Sequence, residues 1–425
     1  MSLAIFAIIF LFAFLGAPLF AVIGALGYIA FHLAGIDQSA LIIDLYGKIA
    51  GQPTLIAVPL FTFAGYLLAE SKAPKRIIEL AKALFGWMPA GLAIVSLGTC
   101  AIFTAFTGAS GVTIIALGGL LYPFLIQQKY PEKFSLGLVT ASGSVGLLFP
   151  PSLPIILYGF VAGVSIDKLF VAGILPGVIL IAALAGYSWF VAAKANVPKI
   201  PFSWSNVVSS VRNCAWEIPL PFIVIGGIYG GIFTATEAAA VTAFYAFIVE
   251  VFIYRDLHLF RDVPQVMRKS MLLVGAIVMI IGSSLGLMNY LIDEQVPQKL
   301  IAIVQSNIGS KFLFLLALNA FLIIMGMFME IFSAIVTVPL ILPVAAQFNI
   351  DPVHLGIIFL TNLELGYLMP PMGLNLLMSS LRFDKPILQI SKSVGWFLLF
   401  ESAALLLITY IPEISLWLVG ASHVK

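Results

Sequence analysis

What most constrains this chain is the recurrence of apolar runs long enough to cross a bilayer. A spanning helix needs about 20 mostly apolar residues for roughly 30 Å of hydrocarbon. Such runs fall at 3–33, 53–70, 134–163, 169–193, 215–234, 236–254, 270–292 and 393–411. Three further stretches, 88–127, 312–347 and 353–381, are as apolar but fit one simple crossing less well. Composition agrees: 61% of the 425 residues are hydrophobic and 9% are charged, against about 25% charged in a soluble domain. That excludes a water-facing globule, a disordered chain, collagen and a coiled coil. A formal net charge of +2 gives no nucleic-acid footprint, so the expected surroundings are lipid and no nucleic acid. The first 30 residues lack a basic n-region and run too long for a signal peptide, which reads as a retained helix. Cys100 and Cys214, the two cysteines, lie in or beside apolar runs and read as buried free thiols.

The few charges set an orientation. If 88–127 and 312–347 are re-entrant hairpins that return to the side they left, 16 of the 21 Lys and Arg fall on one face. Only Lys48, Lys168, Lys299, Lys311 and Lys425 fall on the other. The positive-inside rule makes the basic face cytoplasmic, which puts the N-terminus inside and the C-terminus outside. Single crossings at those two stretches would erase the bias.

The chain also repeats itself. Gly146-Leu147-Leu148-Phe149-Pro150-Pro151 matches Gly366-Tyr367-Leu368-Met369-Pro370-Pro371 at an offset of 220, and Pro123 matches Pro343 at the same offset. Tyr66-Leu67-Leu68 with Pro74 resembles Tyr290-Leu291-Ile292 with Pro297. Residues 53–193 and 270–411 thus read as two copies of one unit, inverted because the first starts outside and the second inside. The expected organisation is an N-terminal scaffold helix and loop (1–52), repeat 1 (53–193, hairpin 88–127, broken helix 134–163), connecting scaffold helices (194–269), repeat 2 (270–411, hairpin 312–347, broken helix 353–381) and an external tail (412–425).

A Pro-Pro pair inside an apolar run removes two backbone donors and bends the chain. At membrane depth the freed carbonyls must be met by protein or by a water-filled cavity. Small or polar residues precede each break: Ser142, Gly143, Ser144 and Gly146 in the first copy, Asn362, Glu364 and Gly366 in the second. The hairpin tips, Thr104–Gly111 and Gly326–Ser333, are similarly polar or flexible. A tip facing a break offers carbonyls suited to a hard cation such as Na⁺ and helix N-termini suited to an anion. Two such pairs predict two cation sites flanking a substrate site. Acids at membrane depth are functional candidates by default. Glu330 and Glu364 could each ligate a cation, carry a proton or cap a half-helix, whereas Glu401 reads as structural. His32, His258, His354 and His423 lack metal-like spacing.

No G-x-x-x-x-G-K-[ST] or H-E-x-x-H run is present, so neither an ATPase nor a zinc hydrolase is expected, and the chain reads as no enzyme. An ion gradient or a partner must supply the driving force.

Pro59-Leu60-Phe61-Thr62-Phe63-Ala64-Gly65, Gly108-Ala109-Ser110-Gly111, Leu148-Phe149-Pro150-Pro151-Ser152-Leu153-Pro154, Gly173-Ile174-Leu175-Pro176-Gly177, Gly231–Ala240 and Met369-Pro370-Pro371 carry a resemblance over essentially the whole chain. The chain resembles the large membrane (M) subunit of tripartite ATP-independent periplasmic (TRAP) transporters. Two departures stand out: Ala235 where the family usually has proline, and Val112 where it usually has serine. The resemblance implies an all-α integral membrane protein of a bacterial inner membrane, with elevator-type transport and scaffold domains. It implies Na⁺-coupled uptake of a small organic anion such as a dicarboxylate, sialic acid or sulfonate. Its partners would be a small four-helix (Q) membrane subunit and a soluble periplasmic substrate-binding (P) protein. On that footing a first Na⁺ site draws on Thr107, Gly108, Ser110, Ser144, Gly146 and Phe149. A second draws on Met327, Glu330, Ser333, Gly366 and Met369, while Ser142, Asn362 and Asn375 contact substrate. The alternatives are a proton-coupled, antiporter-like transporter or a channel.

Overall fold

A computed structural model describes residues 8–9, 11–13, 15–198 and 201–421, and these form helices and loops with no strand among them. The first residues of the expected 3–33 span, with Lys199, His423 and Lys425, lie outside the described set. Seven described helices are long and apolar enough to cross a membrane: Pro53–Glu70, Ser110–Gln127, Ile166–Lys194, Ala235–Ile253, Asp262–Asp293, Lys311–Phe328 and Ile387–Tyr410. An eighth crossing results if Glu132–Leu148 and Leu153–Ala162, bent by 43°, count as one span.

Two expected spans are corrected. The 3–33 run does not continue as one helix, because Gly16 at φ +89° and Pro18 interrupt it before α1 (Leu19–Leu33). The 215–234 run yields only the 11 residues of α11 (Pro219–Tyr229), about 16 Å at 1.5 Å per residue. Pro219 opens that helix, and Gly231 at φ +67° follows its end.

The long helices sort into two packed groups. In one, α13 (Asp262–Asp293) packs on α1, on α2 (Ser39–Ala50) and on α3 (Ala57–Glu70), while α12 (Ala235–Ile253) packs on α3 and α11. In the other lie α5 (Gly91–Thr107), α6 (Ser110–Gln127), α7 (Glu132–Ser142), α8 (Leu153–Ala162) and α9 (Ile166–Lys194). They are joined there by α15 (Lys311–Phe328), α16 (Ile331–Gln347), α17 (Pro352–Gly366), α18 (Leu374–Phe383) and α19 (Ile387–Tyr410). Contacts between the groups run through α3 on α5 and α8, and through α13 on α16. Every residue of α17 from Val353 to Gly366 is buried, so this helix lies at the centre of its group.

The amphipathic α4 (Ala73–Phe85) is anchored to the connecting segment by one arginine. Arg76 ion-pairs with Glu217, with Asp256 at 2.5 Å and with Glu250 at 3.0 Å, and its guanidinium lies 3.8 Å over the Tyr254 ring. Lys72 adds a second cation to Asp256 at 3.4 Å. The three carboxylates are almost wholly buried, and burial of that kind is tolerated only where a cation is supplied.

Candidate ion and substrate site

Each group of interruptions is built the same way. At the first tip α5 ends at Thr107, Gly108 takes the left-handed conformation at φ +65°, and α6 begins at Ser110. At the second, α15 ends at Phe328 and the chain restarts at Ile331 after Met329 and Glu330. Helix α7 ends at Ser142 and α17 at Gly366, and each break leads into a cis Pro-Pro bond, Pro150–Pro151 and Pro370–Pro371. Helices α8 and α18 then restart at Leu153 and Leu374.

The first tip and first break are tied by side chains. Thr104 Oγ1 donates to the Gly143 carbonyl at 2.9 Å and lies 2.7 Å from Thr113 Oγ1, joining both hairpin arms to the break. A Cβ on Gly146 would fall 2.2 Å from the Ala101 carbonyl oxygen, so only glycine lets the break approach this arm. Thr107 and Gly108 are buried beside it, and a Cβ on Gly108 would strike Leu153. The Ser110 hydroxyl is buried and has no hydrogen-bond partner. Phe149 sets its ring against Gly177 of α9.

The second pair uses the same backbone contact. A Cβ on Gly366 would fall 2.6 Å from Gly326 Cα. Tyr367 adds a side-chain tie, its hydroxyl accepting from the Ile331 N–H at 2.6 Å. Ser333 is buried, Met327 and Met369 are half-buried, and Glu330 is exposed. Glu330 occupies the N-cap position before Ile331 but makes no side-chain cap hydrogen bond; its backbone carbonyl accepts from Ser333 and Ala334.

The residues expected to touch substrate are divided. Asn375 donates to Ser144 Oγ at 3.1 Å and to the Thr140 carbonyl at 3.2 Å, linking α18 to the first break. Ser142 bonds back to the Val139 carbonyl at 3.3 Å. Asn362 turns to Asn319 of α15 at 2.8 Å, in a network that includes Thr409. The Asn375 and Asn362 side-chain oxygens are both buried without a donor.

Two neighbours were not singled out as site residues from the sequence. Gly65 of α3 approaches the first tip so closely that a Cβ would lie 2.4 Å from the Phe106 carbonyl oxygen. Its chain neighbour Tyr66 is within reach of the Glu330 charge at the second tip. Both belong to segments quoted above, one in the resemblance and one in the repeat, but nothing local marks them as tip contacts. Likewise Thr140, which bonds Ser379 of α18 at 2.8 Å, carries no signal in the linear sequence.

The family model described as tripartite ATP-independent periplasmic transporter, DctM component, matches residues 5–414. The chain belongs to the DctM family. Its relatives include the C4-dicarboxylate TRAP transporter large permease protein DctM of Vibrio cholerae, 34% identical over 91% of this chain and 89% of that one. The ectoine/5-hydroxyectoine TRAP transporter large permease protein UehC of Ruegeria pomeroyi is 30% identical over 98% of each chain. Among solved structures, the YdaH transporter of Alcanivorax borkumensis shares the fold, with a TM-score of 0.61, 11% identity and 90% of this chain covered, against 89% of that one. DctM membership makes this a multi-pass inner-membrane transport component and not an enzyme. The run Gly282-Ser283-Ser284-Leu285-Gly286 has the letters of a nucleophile elbow, which requires a strand-to-helix turn. Here it lies inside the continuous helix α13, with Ser284 Oγ bonded to the Ile280 carbonyl. In this DctM chain, helix α12 starts at Ala235 on a capping box between Thr234 and Glu237.

Proposed function

We propose that this DctM-family chain imports a small organic anion in symport with Na⁺, through two cation sites built at the two tip–break pairs. The observation that carries this is the matched construction at Gly146 and Gly366. At each, the first arm of the hairpin and the break meet through a contact only glycine permits, and helices end and restart on either side of it. Helix C-termini leave carbonyls without intrahelical partners, which suit a hard cation; N-termini leave N–H groups, which suit a carboxylate. The orphaned Ser110 hydroxyl and the side-chain oxygen of Asn375 fit the same oxygen-rich chemistry. Thr107, Gly108, Ser110, Ser144, Gly146 and Phe149 form the first site. Met327, Glu330, Ser333, Gly366 and Met369 form the second, with Ser142, Asn362 and Asn375 toward the substrate.

The two units are inverted repeats, 53–193 and 270–411, and both hairpins are re-entrant. The block holding α5–α9 and α15–α19 moves as an elevator against the scaffold of α1–α3 and α11–α13, with the N-terminus cytoplasmic. The separate packing of these two groups supports that division. A four-helix Q subunit and a periplasmic binding protein complete the transporter. The named cargoes of the two relatives, a C4-dicarboxylate and ectoine, both carry a carboxylate, which fits the same anion group here. The test is uptake into proteoliposomes holding the chain, its small subunit and its binding protein. Uptake requiring an inward Na⁺ gradient and the binding protein is expected. Uptake driven by a pH gradient without Na⁺ would overturn the coupling, and flux that never saturates would favour a channel.

A further inference from the structure

Helices α9 and α19 each carry a side-chain stripe that runs from aromatic to basic. On α9 it is Tyr187, Phe190, Val191 and Lys194; on α19 it is Lys392, Trp396 and Phe400. Steps of three and four residues put side chains on one helix face. Each stripe therefore places rings toward the middle of its helix and a lysine toward one end. The two helices pack together, and Tyr187, Phe190, Lys194, Trp396 and Phe400 line one groove of about 490 Å³. The Tyr187 ring stacks on Phe400 at 5.3 Å and on Trp396 at 6.4 Å. Phe190 is 67% exposed and Trp396 57% exposed, so the groove opens outward from the helix pair. Both helices are long and apolar enough to cross a membrane, and their open face meets lipid.

The basic ends of the two stripes meet at the start of α7. Pro131 lines the aromatic groove beside Lys194, and its neighbours Glu132 and Lys133 line a second groove of about 480 Å³ with Lys392. Glu132 is the one acid lining either groove, and it is already engaged. Lys385 reaches it at 2.9 Å, and the Tyr122 hydroxyl donates to it at 3.3 Å. Lys133, Lys194 and Lys392 are exposed and join no ion pair among the described residues. Three uncompensated cations at one end of an aromatic groove call for a ligand with an anionic head and an apolar body. A soluble anion has no use for the rings, and a zwitterionic lipid brings no net charge to the lysines. The eight residues from Lys392 to Phe400 rise about 12 Å at 1.5 Å per residue. That depth fits within one leaflet, half of roughly 30 Å of hydrocarbon.

We propose that these grooves form a binding site for an anionic phospholipid. Its phosphate faces Lys133, Lys194 and Lys392, where ammonium groups act as point charges suited to phosphate. One acyl chain lies along Tyr187, Phe190, Trp396 and Phe400. Basic pockets between spanning helices recognise anionic headgroups by this chemistry, and each lysine near the membrane surface is worth about fivefold in affinity. The site is built from α7, α9 and α19 alone, at the opposite end of α7 from the break that follows Ser142. Its occupancy therefore depends neither on the coupling ion nor on a contact between the two helical groups.

The test is native mass spectrometry of the chain with its small subunit, titrated with dioleoyl phosphatidylglycerol or dioleoyl phosphatidylcholine. The wild type is expected to retain phosphatidylglycerol in preference to phosphatidylcholine. Each of K133A, K194A and K392A should weaken phosphatidylglycerol binding about fivefold, and the triple variant about a hundredfold. The control K168A/K299A, at lysines lining neither groove, should bind as the wild type does. Trp396→Ala should weaken binding roughly tenfold through the lost apolar contact. Equal retention of the two lipids by the wild type would overturn the proposal, as would a triple variant that binds phosphatidylglycerol like the wild type. If the triple variant does not fold, the three single variants carry the same test. An unchanged affinity in Trp396→Ala would overturn the seat of the acyl chain in the groove. Displacement of the lipid by glycerol 3-phosphate would make this a site for soluble anions and would equally end the phospholipid reading.

Discussion

The first and second tip–break pairs share a backbone and differ in side-chain chemistry. In both, a glycine 220 residues from its counterpart presses on the first arm of its own hairpin, Gly146 on Ala101 and Gly366 on Gly326. In the first pair the ties are hydroxyl and amide: Thr104, Thr113, Ser144 and Asn375, all buried and neutral. The second pair has one phenol tie from Tyr367 and an exposed acid, Glu330. The lesson is that the close approach of break to hairpin leaves no alternative to glycine, while the polar groups around it can diverge. The first pair is preformed and enclosed; the second is open and carries charge.

The largest expected effects come from the shared element. In Gly146→Ala the new methyl would sit 2.2 Å from a backbone carbonyl, and in Gly366→Ala it would sit 2.6 Å from a backbone Cα. Neither neighbour can rotate away. Each substitution should cost about 1–3 kcal/mol, as overpacking does, and abolish uptake, with Gly146→Ala the more severe. Thermal melting in detergent and proteoliposome uptake measure both. Full uptake by either variant would show that its break can move off the hairpin, and would end the claim that the two pairs share one construction.

Side chains should separate the pairs. Asn375→Ala deletes two hydrogen bonds in the enclosed pair and strands Ser144 and the Thr140 carbonyl. The expected cost is about 1–3 kcal/mol, the usual penalty for an unsatisfied buried group, visible as a lowered melting temperature. Tyr367→Phe removes the acceptor of the Ile331 N–H and should cost about 1 kcal/mol. Glu330→Gln removes a charge that caps no helix by its side chain, so stability should change by no more than about 0.5 kcal/mol. Its effect should instead appear in the Na⁺ concentration for half-maximal uptake, raised roughly tenfold, or about 1.4 kcal/mol. A melting drop in Glu330→Gln as large as in Asn375→Ala would make the acid structural and erase the contrast.

This contrast was half visible in the sequence. The Pro-Pro motifs, the offset and the neutral Ser110 opposite Glu330 can all be read from the linear order of residues, because helix interruption and burial cost are local or compositional. The partners cannot. Asn375 and Asn362 look equivalent as polar residues flanking a break, yet one crosses to Ser144 and the other turns to Asn319. Which way each points depends on how α17 and α18 are rotated against neighbours more than 40 residues away. The short α11 shows a second limit, since the apolar length of 215–234 is real but proline and glycine decide where the helix stops.

The smallest effect tests what a partnered acid does, as a reference for the unpartnered Glu330. Burial opposes the charged form of Asp256. The hydrogen bond and charge of Arg76, together with the Lys72 backbone and side chain, outweigh it and hold the carboxyl below the usual aspartate range. A carboxylate lowered in the folded state stabilises fully above its unfolded value, about 3.9 for aspartate. That contribution is lost as pH falls through the lower folded value. Asp256→Asn lacks the contribution at every pH. The melting-temperature gap between wild type and Asp256→Asn should therefore stay constant from about pH 7 to 5 and narrow below about pH 4. Salt should shrink it only slightly, because the Asp256 carboxylate is nearly buried against Arg76. A gap that persists at acid pH would assign the Asp256 contribution to packing. The cluster would then no longer serve as the paired-charge reference against which the second tip–break pair is judged.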